Sequence, residues 1–302
     1  MKRFAAFIAI LALLYFGVDF FSLASISGQL SSEMSEPLSQ EALEALLQPY
    51  HYLGKGKQSY AFASKDGKWV VKFFNHKYFK LPFWAAAFPK EKAKREKRKL
   101  FYLNSYRIAS KLLKEETGLV YLHQGWNLSP LPQLAATDPM GISHWINLND
   151  IPFVLQKKAE PFYPRLKEMS QEDLNSAITQ FLSIIAFRID HKIADSDHEV
   201  ENNFGWIEGK VIQLDPGRLR FEEGLWEEHK LQHEWWSATH RLRKWLEENR
   251  PDQITFFDSA IETNLQRVLQ RSQAPLSPQR DESLQEQSPA VSSSSDLQTP
   301  TR

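Results

Sequence analysis

The hydrophobic pattern begins with a long apolar run at the N-terminus. Lys2 and Arg3 precede it, and residues 4–23 are apolar except for Gly17, Asp19 and Ser22. A helix of this length reaches about 30 Å, enough to cross the hydrocarbon core of a bilayer. The positive-inside rule then places the N-terminus in the cytoplasm. The run predicts a single-pass membrane anchor over 1–24. The alternative is a cleaved signal segment and a secreted protein.

After a polar, Ser-rich linker over 25–48, the pattern becomes typical of β-structure up to about residue 160. Asp66-Gly67 separates two β-rich runs and is a strong hairpin signal. A single helix is expected within this region, from Lys90 to about Glu116. Strands are expected at 60–62, 69–74, 143–148 and 152–159, the last two joined by a turn at Asn149-Asp150.

From residue 161 to residue 271, apolar positions recur at helical spacing. Ser170 is placed to cap an amphipathic helix that ends near Asp190. Helices are also expected at 225–248 and 254–271, and short strands at 204–207 and 211–214 around Glu208-Gly209. Residues 272–302 are dominated by Ser, Pro and Gln, which predicts a disordered tail.

Composition narrows the classes of function. The chain has 37 Lys and Arg against 37 Asp and Glu, and it has no cysteine. A balanced charge argues against a protein that binds nucleic acid through bulk charge, and we predict no nucleic-acid partner. Without cysteine there is no thiolate zinc site, iron–sulfur cluster or cysteine nucleophile.

Charge is nevertheless concentrated locally. Residues 90–99 are mostly Lys and Arg, and an aromatic, Pro-bounded segment precedes them. The simplest interpretation is a solvated helix face behind a packed loop. The alternative is that 81–99 contacts anionic lipid, with aromatic rings at the headgroups beside a basic helix.

Four features stand in an order that phosphoryl transfer requires. They are the glycines Gly54 and Gly56 before a strand, Lys72 within an apolar strand, Asp197 with Asn202 five residues later, and the Asp215-Pro216-Gly217 turn after another strand. Glycines let a loop approach phosphates closely, and carboxylate and amide oxygens suit Mg²⁺. Each feature alone is common in turns and strands, and their order is the informative part.

In this order and spacing the sequence resembles the protein-kinase-like superfamily over about residues 50–250. The resemblance implies an α+β, bilobal protein-kinase-like fold. A β-rich N-lobe over 49–160 and a small helical C-lobe over 161–271 would follow the transmembrane helix. It also implies ATP and Mg²⁺ as cofactors.

The resemblance assigns a role to each candidate residue. Lys72 would hold the α- and β-phosphates, and Gly54 and Gly56 would let the loop cover them. Asn202 and Asp215 would bind Mg²⁺, and Asp197 would accept the proton of the substrate hydroxyl or orient that hydroxyl. A glutamate of the following helix, Glu96 or alternatively Glu91, would pair with Lys72. Residues 156–162 would link the lobes.

The sequence also departs from the family pattern. Asp195-Ser196 replaces the usual His-Arg before the catalytic aspartate, and Glu199 replaces the usual basic residue after it. Carboxylates gathered in this way raise one another's pKa unless cations neutralise them. The first hypothesis is a membrane-anchored phosphotransferase that moves the ATP γ-phosphoryl group to a hydroxyl of a sugar, lipid or small molecule, with a small molecule or glycolipid as its substrate partner. The alternatives are a pseudokinase that acts as a membrane-tethered binding or scaffold module, and a tethered interaction protein whose motif matches are coincidental.

Overall fold

The computed structural model describes residues 35–56, 58–75, 89–125, 127 and 129–273. The predicted anchor over 1–24 lies outside the described residues, as do most of the predicted linker and nearly all of the predicted tail. The described helices are α1 (Gln40–Leu46), α2 (Pro89–Leu112), α3 (Lys114–Thr117), α4 (Phe162–Glu168), α5 (Gln171–Asp190), α6 (Val200–Asn203), α7 (Glu228–Asn249) and α8 (Ile254–Gln273).

The described strands belong to one large sheet and two small ones. They are β1 (Tyr50–Lys55), β2 (Ser59–Ser64), β3 (Trp69–Phe74), β4 (Leu119–His123), β5 (Gln133–Thr137), β6 (Ser143–Asn147), β7 (Phe153–Lys157), β8 (Glu160–Pro161), β9 (Ile193–Asp195), β10 (Phe204–Ile207), β11 (Lys210–Gln213) and β12 (Leu219–Phe221). The large sheet has seven strands in the order β4-β7-β3-β2-β1-β5-β6. Its neighbouring strands are antiparallel except for β1 and β5, which are parallel.

The large sheet buries an aromatic core on the side covered by α1. Phe62, Phe73 and Phe153 stand on adjacent strands, with neighbouring ring centroids 5.7 and 6.2 Å apart. Strand β3 is central in the sheet, between β2 and β7, and four of its six residues are buried. Lys72, a half-buried cation between Val71 and Phe73, is therefore an exception within a central strand.

Helix α2 connects the large sheet to the second half of the chain. Its C-terminal half packs Tyr102, Leu103 and Tyr106 against Phe74 of β3 and against Leu219 of β12. Strand β12 pairs with β9, so α2 also lies against the segment that contains Asp195. One helix thus contacts both regions that carry the predicted chemistry.

The second half of the chain packs around α5. Ser170 caps this helix as predicted, since its Oγ accepts a hydrogen bond from the backbone N–H of Asp173 at 3.1 Å. The predicted apolar stripe of α5 is largely buried and contacts α7 and α8. The predicted hairpin at Glu208-Gly209 is confirmed as β10 and β11.

The two strands predicted on either side of Asn149-Asp150 are present, but they do not pair with each other. Strand β6 pairs with β5 at one edge of the sheet, whereas β7 lies between β3 and β4 near the other edge. A short 3₁₀ turn, Leu148–Asp150, separates them. Leu148 and Ile151 are buried there, so the connection crosses the core side of the sheet.

The predicted fold class requires correction. Within the described ranges, no helix is both long and apolar enough to span a bilayer. Helix α2 has the length, with 24 residues, but its first half is dominated by Lys, Arg and Glu. The described residues form a mixed α/β structure around a seven-stranded sheet, rather than a fold shown to follow a transmembrane helix. The predicted single-pass membrane localisation is corrected with it.

Candidate active site

Lys72 and Asp215, which are far apart in sequence, meet where the large sheet faces the second half of the chain. Lys72 Nζ donates a hydrogen bond to the carbonyl oxygen of Leu214 at 2.8 Å. Burial of the ammonium group lowers the pKa of Lys72, and the negative charge of Asp215 partly opposes this shift. Gln156 of β7 donates to the same carbonyl at 3.0 Å and fixes the Leu214 backbone from the sheet side. From the sequence, Gln156 was expected only as the start of the predicted link between the lobes, and this hydrogen bond was not predicted.

The Asp215 carboxylate is oriented by its own turn and by α2. Its Oδ1 accepts the backbone N–H of Gly217 at 3.0 Å and the hydroxyl of Tyr106 at 3.3 Å. Tyr102 donates in turn to the Tyr106 hydroxyl at 3.5 Å. Burial and the charge of Asp215 raise the pKa of both tyrosines well above the usual value, so both hydroxyls remain donors at neutral pH.

Asp215 Oδ2 accepts no hydrogen bond from the residues that the structure describes. A half-buried carboxylate oxygen in this state is the kind of ligand that Mg²⁺ prefers, so Asp215 fits its predicted role. In the described parts of the chain, no three or more His, Asp or Glu side chains are grouped so as to hold a metal ion.

Ser105 bonds α2 to the residues that follow Asp215. Its hydroxyl donates to the carbonyl oxygen of Pro216 and accepts the backbone N–H of Leu219 at 2.6 Å. Ser105 is fully buried, so these bonds are made away from water. Ser105, Tyr102 and Tyr106 were not among the predicted site residues, and their only signal in the sequence is that they share one face of α2 at helical spacing.

Helix α2 does not present the predicted glutamate to Lys72. The contacts of Lys72 include Leu214 and Asp215 but neither Glu96 nor Glu91, although all four residues are described. Glu96 is half-buried and Glu91 is exposed near the start of α2. The face of α2 turned to the site carries tyrosine and serine hydroxyls instead.

Of the two glycines of the predicted phosphate loop, Gly54 lies near the end of β1 and Gly56 in the β1–β2 turn. Gly54 marks a shift in the pairing register of β1 with β2, and the N–H of Gly56 donates to the Ser59 carbonyl at 2.9 Å. Gln58, two residues after Gly56, reaches the Asp215 turn, because its Oε1 lies 2.8 Å from where a Cβ on Gly217 would stand. The turn therefore does approach the site.

Gly217 allows this close approach, and we expect Gly217→Ala to destabilise the protein by about 1–3 kcal/mol. An added methyl would meet the Tyr102 ring, Asp215 Oδ1 and Gln58 Oε1. Chemical denaturation with urea measures the effect. Gly54→Ala is the matched control and should be nearly neutral, because nothing lies within 4 Å of its Cβ position. Equal stability of the two variants would contradict the packing described for Gly217.

Asp197 lies on the loop between β9 and α6. Its Oδ2 is 3.5 Å from Nε of Arg218, and its carbonyl oxygen accepts Nδ2 of Asn203 at 3.2 Å. Asn202, selected by the five-residue spacing, is exposed, whereas Asn203 is buried and contacts Asp197. The structure thus brings the second asparagine of the pair, and not the first, to the Asp197 loop.

A buried ionic network supports this loop from below. Arg188 of α5 donates to Asp195 Oδ2 at 2.6 Å, and Gln213 of β11 donates to the same oxygen at 2.7 Å. Asp195 Oδ1 accepts the backbone N–H of Asp197 at 2.9 Å, and the N–H of Asp195 donates to Glu234 of α7 at 3.1 Å. Arg188, Asp195 and Glu234 are 1, 4 and 5% exposed.

The predicted crowding of carboxylates is relieved by cations of the chain itself. Asp195 pairs with Arg188, Asp197 with Arg218, and Glu199 with Arg241. Glu234 remains partly uncompensated: burial raises its pKa, and the charge of Arg188 offsets only part of that rise. These carboxylates therefore hold the loop in place more than they form a shared metal site.

Two comparisons with known proteins were negative. No protein-family model matches the chain, and a search of curated proteins finds no significant match. The family terms kinase and ATP-binding thus receive no support from relatives, and the transmembrane description is corrected by the fold. Support for the candidate site therefore comes from the positions of Lys72, Asp197 and Asp215 in the structure and not from relatives.

Proposed function

We propose that the chain is a phosphotransferase that moves the γ-phosphoryl group of ATP to a hydroxyl of a small molecule, with Mg²⁺ as cofactor. One observation carries the proposal. A half-buried lysine of a central strand lies beside the backbone and carboxylate of the Leu214–Asp215 turn, although Lys72 and Leu214 are 142 positions apart. Phosphoryl transfer needs this combination of a fixed cation and a metal-binding carboxylate more than it needs covalent chemistry.

Lys72 supplies a positive charge for the phosphates. Burial lowers the pKa of Lys72, because the charged ammonium group loses hydration in this position. Phosphate oxygens near Nζ offset that loss, so nucleotide binding and the protonated form of Lys72 favour each other. Asp215 and Asn203 would hold Mg²⁺, which neutralises charge on the transferred group.

Asp197 is the group best placed to receive a proton. The acceptor's hydroxyl oxygen bonds to the γ-phosphorus, the bond from that phosphorus to the bridging oxygen breaks, and ADP leaves with that oxygen. The hydroxyl proton passes to the Asp197 carboxylate. Arg218 Nε, 3.5 Å from Asp197 Oδ2, would hold this carboxylate in position for the acceptor's hydroxyl.

The proposal is tested by thermal unfolding of the full chain with and without saturating Mg-ATP. Ligand at about one hundred times its Kd stabilises a protein by about 2.7 kcal/mol, which raises Tm by several degrees. We expect this rise in the wild type, and its loss in Lys72→Met and Asp215→Asn. Lys65→Met, an exposed lysine of the β2–β3 turn, is the control. An unchanged wild-type Tm in saturating Mg-ATP would overturn the proposal.

A second candidate function is a nucleotide-binding module without turnover. The observations that favour it are the Asp197–Arg218 pair, which engages the proposed base, and the outward position of Asn202. In this case Mg-ATP raises Tm as above, but the chain does not convert ATP to ADP. Measuring ADP formation alongside the melting curves separates the two functions.

A further inference from the structure

A cavity of about 430 Å³ opens next to the Asp197 loop, between α2 and the residues that follow Asp215. Its walls come from the middle of α2, from Gln58 of the β1–β2 turn, from Ser196 just before Asp197, and from Gly217 and Arg218 after Asp215. The Tyr102 ring lies against Gly217 and forms part of the floor.

The charged side chains that line the cavity are all basic. Arg98 and Lys99 of α2 and Arg218 of the opposite loop line it, and the described residues of its lining include no carboxylate. These cations come from segments more than a hundred positions apart in sequence, so the fold has to bring them together. A site with this charge selects anions, and guanidinium groups match the oxygens of a phosphate especially well.

The cavity is directly connected to the proposed base. Arg218 lines it and is also 3.5 Å from Asp197 Oδ2, while Ser196, the neighbour of Asp197, forms another part of its wall. The N–H of Ser196 donates to the Arg218 carbonyl at 3.3 Å, which holds the two loops together at this point. An anion bound to Arg218 therefore places the rest of its molecule beside the Asp197 carboxylate.

The size and lining of the cavity limit the ligand. Its volume is near the lower end of the range of about 300–1,000 Å³ found for small-molecule sites. The Phe101 side chain, partly exposed at the wall, offers an apolar surface for a carbon skeleton. A one-ring molecule with a single phosphate fits this description better than a nucleotide or a protein segment.

We propose that this cavity binds the phosphate group of an acceptor that is itself a phosphomonoester, such as a phosphorylated sugar. The proposal rests on the phosphotransferase function proposed above and narrows its substrate class. Lys99, Arg98 and Arg218 hold the phosphate already present, and Asp197 faces a free hydroxyl of the same molecule. The product carries two phosphate groups.

The test is calorimetric titration of the full chain with three probes: glucose 6-phosphate, inorganic phosphate and glucose. We expect glucose 6-phosphate to bind, inorganic phosphate to bind more weakly, and glucose not to bind. Lys99→Gln should weaken glucose 6-phosphate binding by about tenfold, the effect of losing one charge-assisted hydrogen bond. Lys97→Gln, an exposed lysine of α2 outside the cavity lining, should leave it unchanged.

The same titration on Lys72→Met separates this proposal from the proposed function. Lys72 does not line the cavity, so the variant should lose Mg-ATP binding but keep glucose 6-phosphate binding. Equal affinity for glucose and glucose 6-phosphate, or equal affinity of the wild type and Lys99→Gln, overturns the phosphomonoester site. Binding of inorganic phosphate without glucose 6-phosphate overturns it too, since the cavity would then be an anion site closed to an acceptor.

Discussion

Arg188→Met is expected to lower the free energy of unfolding by about 3–5 kcal/mol, the cost of removing one partner from a buried ion pair. Arg188 is the cation that faces Asp195 at 2.6 Å and Glu234 at 3.9 Å. Both carboxylates are almost completely buried, so neither regains water when the guanidinium group is removed. Urea denaturation at neutral pH, followed by tryptophan fluorescence, measures the change.

An ion pair whose arginine is exposed provides the control for Arg188, and Arg271 remains as a second partner of the carboxylate when that arginine is replaced. Arg267 contacts Asp190 at 2.9 Å with 44% of its side chain exposed, and Arg267→Met should cost less than about 1 kcal/mol. Arg188→Met leaves Asp195 and Glu234 buried without their cation. Replacing both by amides should recover part of the lost unfolding free energy, so the triple variant Arg188→Met, Asp195→Asn, Glu234→Gln should be more stable than Arg188→Met alone. If Arg188→Met and Arg267→Met cost the same, the network does not carry the energy assigned to it.

Asp197→Asn is expected to slow Mg-ATP turnover by about 10²–10⁴, the usual contribution of a positioned general base. The amide keeps the shape of the carboxylate but cannot accept the proton of the attacking hydroxyl. Stability should hardly change, because the Asp197–Arg218 pair is about two-fifths exposed on both sides. The measurement is ADP formation by the full chain, with water or glucose 6-phosphate as acceptor.

This variant is distinct from those at Lys72 and Asp215, because it should retain the rise in Tm with Mg-ATP. Asp252→Asn is its control: Asp252 also pairs with an arginine, Arg250, but belongs to the turn before α8. Normal turnover in Asp197→Asn would rule out the proposed base and favour a mechanism without proton transfer at this residue.

Local elements of the fold were predictable because their signals are short in sequence. The Asp66-Gly67 hairpin, the Ser170 cap and the β10–β11 hairpin each depend on neighbouring residues, and each is present. The pairing of strands was harder to predict from the sequence. Residues 143–147 and 153–157 are both strands, but the 3₁₀ turn between them sends them to different neighbours in the sheet. Nothing within either segment specifies that separation.

The residues of the candidate site also fall into those that the sequence predicted and those that it did not. Lys72 and the Asp215 turn were found because an apolar strand and a strand-to-turn boundary frame them in sequence, and the structure brings them together. Spacing selected Asn202, but which of two adjacent asparagines faces Asp197 depends on the orientation of α6, a tertiary property. The sequence gives no sign that Arg188 and Glu234 meet Asp195, because the three stand on different elements.

The bonds made by Ser105 have a consequence for how the two halves of the protein communicate. Ser105 is held to both Pro216 and Leu219, and it sits on the helix whose earlier turns carry Lys99. A ligand that shifts α2 when it binds Lys99 would therefore also shift the residues that follow Asp215. Occupancy of the proposed phosphate site and the position of the Asp215 carboxylate would then be thermodynamically linked, so the two proposed ligands would change each other's affinity by the same factor.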